Sequence, residues 1–481
     1  MRDRAMLLAI CLTLGLAGCG GGGGVGNTAA GSPTDYRLAS EGATLKPWES
    51  DSTSPSVDAA SLVPDKQAAS SSSAGQAGAG AGAASAAQSS AAQSAAPTAT
   101  STGAVVPYDP QALPVIGGEP SSSSTWPAWR LTMSRWQWKQ LNGTDLSSVV
   151  PDPAVPGDPR GRIDAWNGLA ADTRTSRLFA AANGGHADYS GNEVYEIDLS
   201  VDSPRWRMLR APTPAADILG SNKSKGIFND YYRDGRPAST HTYYALQFLA
   251  TRNAIFKFGS GSLWGTGNEA NWKTDAFSLS NNDWQPAGTW PDVVPGSRVG
   301  VIAASTCKNP ATDEVYIAAP SNLRRFNPAS GVFEVLTGWL DNSTAVYARA
   351  CAYDTARNRV VFFGDAYRPP NGGLVYDVAS NTLSRISFSG DGAAEIAEKD
   401  SYHFAWYEPK IGKFLVKTNL GDHLYAVDPE TFSVTAVGTS SVSTLPNAFN
   451  GVHSRWQRLP KLGGYAYYPV YGSGVWFLAI E

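Results

Sequence analysis

This chain of 481 residues is short of several things that would point to a familiar chemistry. Only 17% of its residues are charged, and the excess of acid over base is small, net −4. No basic stripe marks a nucleic-acid partner. No apolar run is long enough to cross a bilayer; residues 6–16 come nearest and fall short. With 49 Gly, 31 Pro and 15 Trp, a long helical protein is excluded. No Gly-x-Ser-x-Gly elbow opens a helix, so a serine triad has no support. There are four cysteines and five histidines, and no short ligand spacing such as His-x-His marks a metal site, which leaves only the histidines gathered by the fold as metal candidates.

What is present is distributed unevenly. Only three aromatic residues, Tyr36, Trp48 and Tyr108, precede position 109, and the rest of the 15 Trp, 20 Tyr and 16 Phe follow it. Arg2 and Arg4 open the chain, an apolar run follows, and Leu16-Ala17-Gly18-Cys19 comes next. This resembles a bacterial lipoprotein signal. The resemblance implies cleavage before Cys19 and acylation of that residue, with an ordinary secretory signal as the alternative. With Gly20 rather than Asp after the Cys, it also implies an outer-membrane lipoprotein, facing the periplasm or the cell surface. Residues 67–102 contain only Ala, Ser, Gly, Gln, Thr and Pro. Such a stretch cannot bury enough surface to offset chain entropy. The expected organisation is a signal over residues 1–18, a lipid-anchored disordered linker over 19–108 and one body over 109–481. Two cysteines remain in the body, Cys307 and Cys351; in an exported protein they form either a disulfide or two buried thiols.

The body repeats. An apolar strand, a polar turn, a second strand often ending in Gly, a third ending in Asp, and a fourth recur along it. The clearest copies begin at Asn167, Arg349 and His403. Turns between first and second strands fall near Ser176, Asn253, Asp313, Asn358, Gly412 and Gly463, spaced by 77, 60, 45, 54 and 51 residues. That predicts an all-β, six-bladed propeller, with seven blades or a large β-sandwich as alternatives. The last unit lacks a fourth strand before the chain stops, and residues 136–141 resemble fourth strands elsewhere. An N-terminal strand is therefore expected to complete the last blade and remove the open edge.

Residues 349–364, with their Arg-Asn-Arg-Val-Val-Phe-Phe-Gly run, and residues 183–195 resemble kelch-repeat propellers, including the central domain of galactose oxidase. That resemblance implies a fold more than an activity, because the fold hosts both binders and enzymes.

In a propeller the starts of the first strands and the loops from second to third strand share one face, around the central channel. All five histidines map there: His241, His403 and His453 near first-strand starts, His186 and His423 in second-to-third loops. Tyr243, Arg298 and Arg349 also map to first-strand starts. Histidine titrates near neutrality, so this face is the expected site. His186 and Tyr243 on neighbouring blades, with His241 beside the Tyr, resemble the acid–base pair of propeller polysaccharide lyases such as ulvan lyases. The resemblance implies β-elimination of a uronic-acid polysaccharide, with His186, Tyr243 and His241 catalytic. Tyr189, Arg298, Arg349, His403, His423 and His453 are the candidate substrate-binding residues. The pattern departs from those lyases at residues 256–260, where no Arg follows the Tyr. Arg298, Arg349, Arg236 or Lys257 would have to meet the carboxylate. Trp264, Trp272 and Tyr189 are candidates to stack on sugars or, alternatively, to pack the blades. Asp188 and Glu193 either orient His186 or cap the 189–192 turn. A non-catalytic glycan- or protein-binding module is the second reading, and a copper oxidase with a Cys–Tyr cross-link the third. No cofactor is identified. The partners expected are a polysaccharide or glycan and, through Cys19, the membrane.

Overall fold

The structure is a computed structural model, and it describes residues 123–265, 270–298, 303–340, 349–364, 371–398 and 402–481. Residues 1–122, where the signal, Cys19 and the linker are expected, lie outside the described residues. Six small antiparallel sheets make a six-bladed β-propeller. Blade 1 runs Ala170–Asp172, Arg177–Ala181, Val194–Asp198 and Trp206–Arg210. The first strands of blades 2 to 6 are Leu246–Leu249, Thr306–Lys308, Ala350–Asp354, Phe404–Glu408 and Trp456–Leu459. Neighbouring first strands touch around the ring, and between blades 2 and 3 the Gln247 amide donates to Thr306 Oγ1 at 3.0 Å.

The ring closes as the repeat predicts. Blade 6 has three strands from the C-terminal end, and its fourth is Gln137–Gln140, paired antiparallel with Trp476–Ala479. Two-residue parallel strands cap blades 5 and 6: Ser389–Gly390 on Ser433–Ala436, and Ser440–Ser441 on Gln137–Gln140. The last blade's first strand starts at Trp456, later than the pattern suggests, because His453–Arg455 form a 3-10 turn ahead of it.

All six turn positions read from the sequence adopt left-handed backbone: Ser176, Asn253, Asp313, Asn358, Gly412 and Gly463 have φ between 47° and 63°. That conformation favours Gly, Asn and Asp, and this is why the turns were legible. Strand alternation then builds the core between blades rather than within them. In Arg359–Phe363, Val361 and Phe363 pack toward blade 5, while Val360 and Phe362 pack toward blade 3. Six such clusters hold the six blade junctions. Cys307 and Cys351 cross-link the first strands of blades 3 and 4 as a disulfide, with Cα atoms 5.6 Å apart. Antiparallel order puts the first-to-second and third-to-fourth turns on one face. The second-to-third loops and the approaches to the first strands lie on the other.

Candidate functional site

The approaches to the first strands of blades 1, 2, 5 and 6 converge at the channel mouth. Each carries an aromatic or His residue in left-handed backbone: Trp166 (φ 51°), Tyr243 (46°), Tyr402 (42°) and His453 (46°). His186, in the second-to-third loop of blade 1, has φ 45°. For bulky residues this region is costly, on the order of 1 kcal/mol or more each, and such clusters mark functional sites. Backbone contacts tie the four approaches together. The Tyr243 N–H donates to the Trp166 carbonyl (2.9 Å), the Ser454 hydroxyl donates to the Tyr243 carbonyl (3.1 Å), and the N–H groups of Val452 and His453 donate to the Tyr402 carbonyl (2.9 Å each). Thr242, fully buried between His241 and Tyr243, is held by Asn167 and Asn183 from blade 1.

On this frame stands a directed hydrogen-bond chain. His241 Nε2 lies 2.8 Å from Asp188 Oδ2, and His241 Nδ1 lies 3.3 Å from the Tyr243 hydroxyl. The tautomer follows from the partners: a carboxylate only accepts, so Nε2 carries the proton and Nδ1 accepts from the phenol. Burial lowers the His241 pKa below its ordinary value, although Asp188 pulls it up, which favours the neutral imidazole. Trp166 lies over the same ring at 5.0 Å between centroids. His186 is exposed and stands 6.1 Å from His241, ring to ring. On the other side of Tyr243, His453 lies at 5.3 Å, fully buried. Its Nε2 sits 2.7 Å from the Asn450 carbonyl, so Nδ1 is a lone-pair acceptor, and it is buried without a partner. Burial, then the Arg455 guanidinium, hold the His453 pKa well below its ordinary value.

The structure thus brings together His186, His241, Tyr243 and His453, and adds Asp188, Trp166 and Tyr402. The other sequence candidates stand apart. His403 is fully buried behind the mouth against Phe363, where burial and then Arg349 lower its pKa to about 3. His423 pairs with Glu395 at 3.1 Å on blade 5, and Tyr425 donates to the same carboxylate. Arg298 forms a two-pronged pair with Asp230 (2.6 Å), and buried Arg349 donates to the Glu398 carbonyl. Arg236 lies between Asp234 and Asp283, and Lys257 is buried 3.2 Å from Asp275.

Two expectations need correction. Tyr189 is not an exposed stacking face: it is fully buried, and its hydroxyl donates to Glu193 at 2.7 Å. For Trp272 the packing alternative holds: it is buried, in the cluster between blades 2 and 3. The physical reasons differ: Trp272 fills a blade junction, where its area excludes water, whereas Tyr189 packs against Gly161 and Gly191, whose missing side chains leave room for its ring beside Glu193. Asp188 does orient a histidine, but that histidine is His241 rather than His186. Glu193 lies inside the fold, accepting from Tyr189 and Tyr195. The signal that could have found Trp166 and Tyr402 was available: each lies two to four residues before a first strand, in register with Tyr243.

The disulfide bears on the oxidase alternative, because both body cysteines are already bonded to each other and neither can cross-link a tyrosine. An open cleft of about 660 Å³ lies on the opposite face, lined by Arg174, Arg177, Arg207, Lys461 and two acids. Its arginines are paired with Asp172 and Glu196. No protein-family model and no curated protein matches this chain.

Proposed function

We propose that the chain is a lipid-anchored, kelch-type propeller, held at the outer membrane through Cys19, that cleaves a uronic-acid polysaccharide at its channel mouth by β-elimination. The observation that carries this reading is the Asp188–His241–Tyr243 chain. A phenol whose proton can pass to a neutral, carboxylate-held imidazole is a competent base. Tyr243 takes the proton next to the uronate carboxylate while its own moves to His241. The freed electron pair becomes the C4–C5 double bond as the C4–O bond breaks. The departing oxygen takes a proton from Tyr243, and the proton on His241 returns. The 3.3 Å contact between Tyr243 and His241 is long, as such contacts often are before substrate seats.

The test is direct. Purified chain incubated with a panel of uronic-acid polysaccharides should generate an unsaturated product absorbing in the ultraviolet. Tyr243→Phe should reduce that rate by about 1000-fold while leaving binding within a few-fold. Absence of product over a broad panel overturns the lyase reading. A non-catalytic glycan-binding module is the second reading. It is favoured by one observation: the four cations considered for the carboxylate, Arg298, Arg349, Arg236 and Lys257, are all engaged with other groups.

A further inference from the structure

We infer that His186 is the group that reads the substrate's carboxylate, so that the site selects an anionic sugar through an imidazole rather than an arginine. The inference rests on the proposed glycan site and assigns the role that its chemistry leaves open. Three observations converge on it. His241 has both ring nitrogens committed, one to Asp188 and one to Tyr243, and so has no N–H left for substrate. His453 has its N–H on the Asn450 carbonyl and presents only a lone pair, which repels a carboxylate. His186 is exposed beside them, 6.1 Å from His241, and its ring makes no hydrogen bond among the described residues.

The backbone fixes where this ring stands. The His186 N–H donates to the Ser262 carbonyl (2.8 Å), and its own carbonyl accepts from the Gly265 N–H (2.5 Å). Both partners belong to blade 2, so the residue is pinned to the same blade as Tyr243 although it belongs to blade 1. A ring N–H held there can meet a carboxylate while the adjacent C–H faces the phenol. Asp188, two residues on, turns Oδ2 to His241, and among the described residues its carboxylate makes no hydrogen bond with the His186 ring.

The test separates binding from turnover. Full-length chain in detergent, carrying Tyr243→Phe so that cleavage is negligible during the titration, is titrated by calorimetry with a 1,4-linked glucuronan hexasaccharide and with its carboxyl-reduced counterpart. The acidic form should bind at least 10-fold more tightly. Adding His186→Ala should erase the preference, and adding His186→Arg should keep it. His186 is exposed, and both variants carry the same left-handed backbone cost, so they are compared at equal folding. A preference that survives His186→Ala, one lost equally in His186→Arg, or no binding of either sugar overturns the inference. Failure of the lyase reading is distinct from these: a chain that never yields unsaturated product but discriminates through His186 sinks the lyase and keeps the inference. A chain that cleaves uronates with His186-independent discrimination does the reverse.

Discussion

At the scale of single residues, the site turns on how His241 is held. Burial disfavours its charged form, and Asp188 at 2.8 Å partly restores it; the net pKa lies below the ordinary value of 6.5. In the proposed β-elimination the imidazole must be neutral to receive the phenol proton. The sign follows: turnover is fully present above the His241 pKa and is lost as pH falls through it. The acid limb of kcat against pH should therefore lie below 6.5, where a free histidine would place it. Asp188→Asn removes the group that raises this pKa and leaves an amide that can hold the wrong tautomer. The expected result is a limb displaced further toward acid and a plateau reduced by about 100-fold or more. A limb that does not move on substitution means that His241 is not the titrating group.

At the scale of elements, the second-to-third loop of blade 1 carries both His186 and Asp188, and its placement depends on Gly185. Gly185 has φ 87°, and a Cβ there would stand 2.3 Å from the Ser262 carbonyl and 2.6 Å from the His241 nitrogen. Gly185→Ala should therefore cost about 2–4 kcal/mol, combining left-handed strain with overlap against blade 2 backbone. Gly235→Ala, with φ 81° and nothing within 4 Å, should cost only the strain, about 1 kcal/mol. Equal costs in denaturant melts would mean that the loop does not rest on blade 2. This dependence also explains what was legible in the sequence. The six turns could be read because a left-handed corner favours small or polar residues such as Gly, Asn and Asp, a local preference written locally. His186, His241 and Tyr243 could be read as neighbours because blade order carries a loop of one repeat to the first strand of the next. The partner of Asp188 could not be read, since that depends on side-chain direction across two blades. Nor could the burial of Tyr189, whose hydroxyl satisfies Glu193 inside the fold, or the engagement of Arg298 by Asp230 on a distant loop.

At the scale of the whole molecule, the propeller is closed in two ways. Gln137–Gln140 joins the N-terminal side of the body to the C-terminal blade, and the Cys307–Cys351 disulfide joins blades 3 and 4 nearly opposite. The strand closure acts in the folded state only, through ladder bonds and the buried ring of Trp138. The disulfide acts in the unfolded state as well, because it holds a 44-residue loop shut after every sheet has melted. In the chain-entropy account, a loop of that length is worth about 4 kcal/mol. Both cysteines lie in the cluster between blades 3 and 4 beside Tyr316 and Phe362, so Cys→Ser at the pair also places two hydroxyls among apolar side chains. The cleaner comparison is Cys307→Ala with Cys351→Ala against the disulfide-bonded chain in denaturant. Stability should fall by about 4 kcal/mol, and thiol reductant should lower the parent to a similar level while leaving the double variant unchanged. A fall below about 1 kcal/mol would show that blade packing alone fixes the junction, and that the cross-link adds little to a ring already closed by Gln137–Gln140.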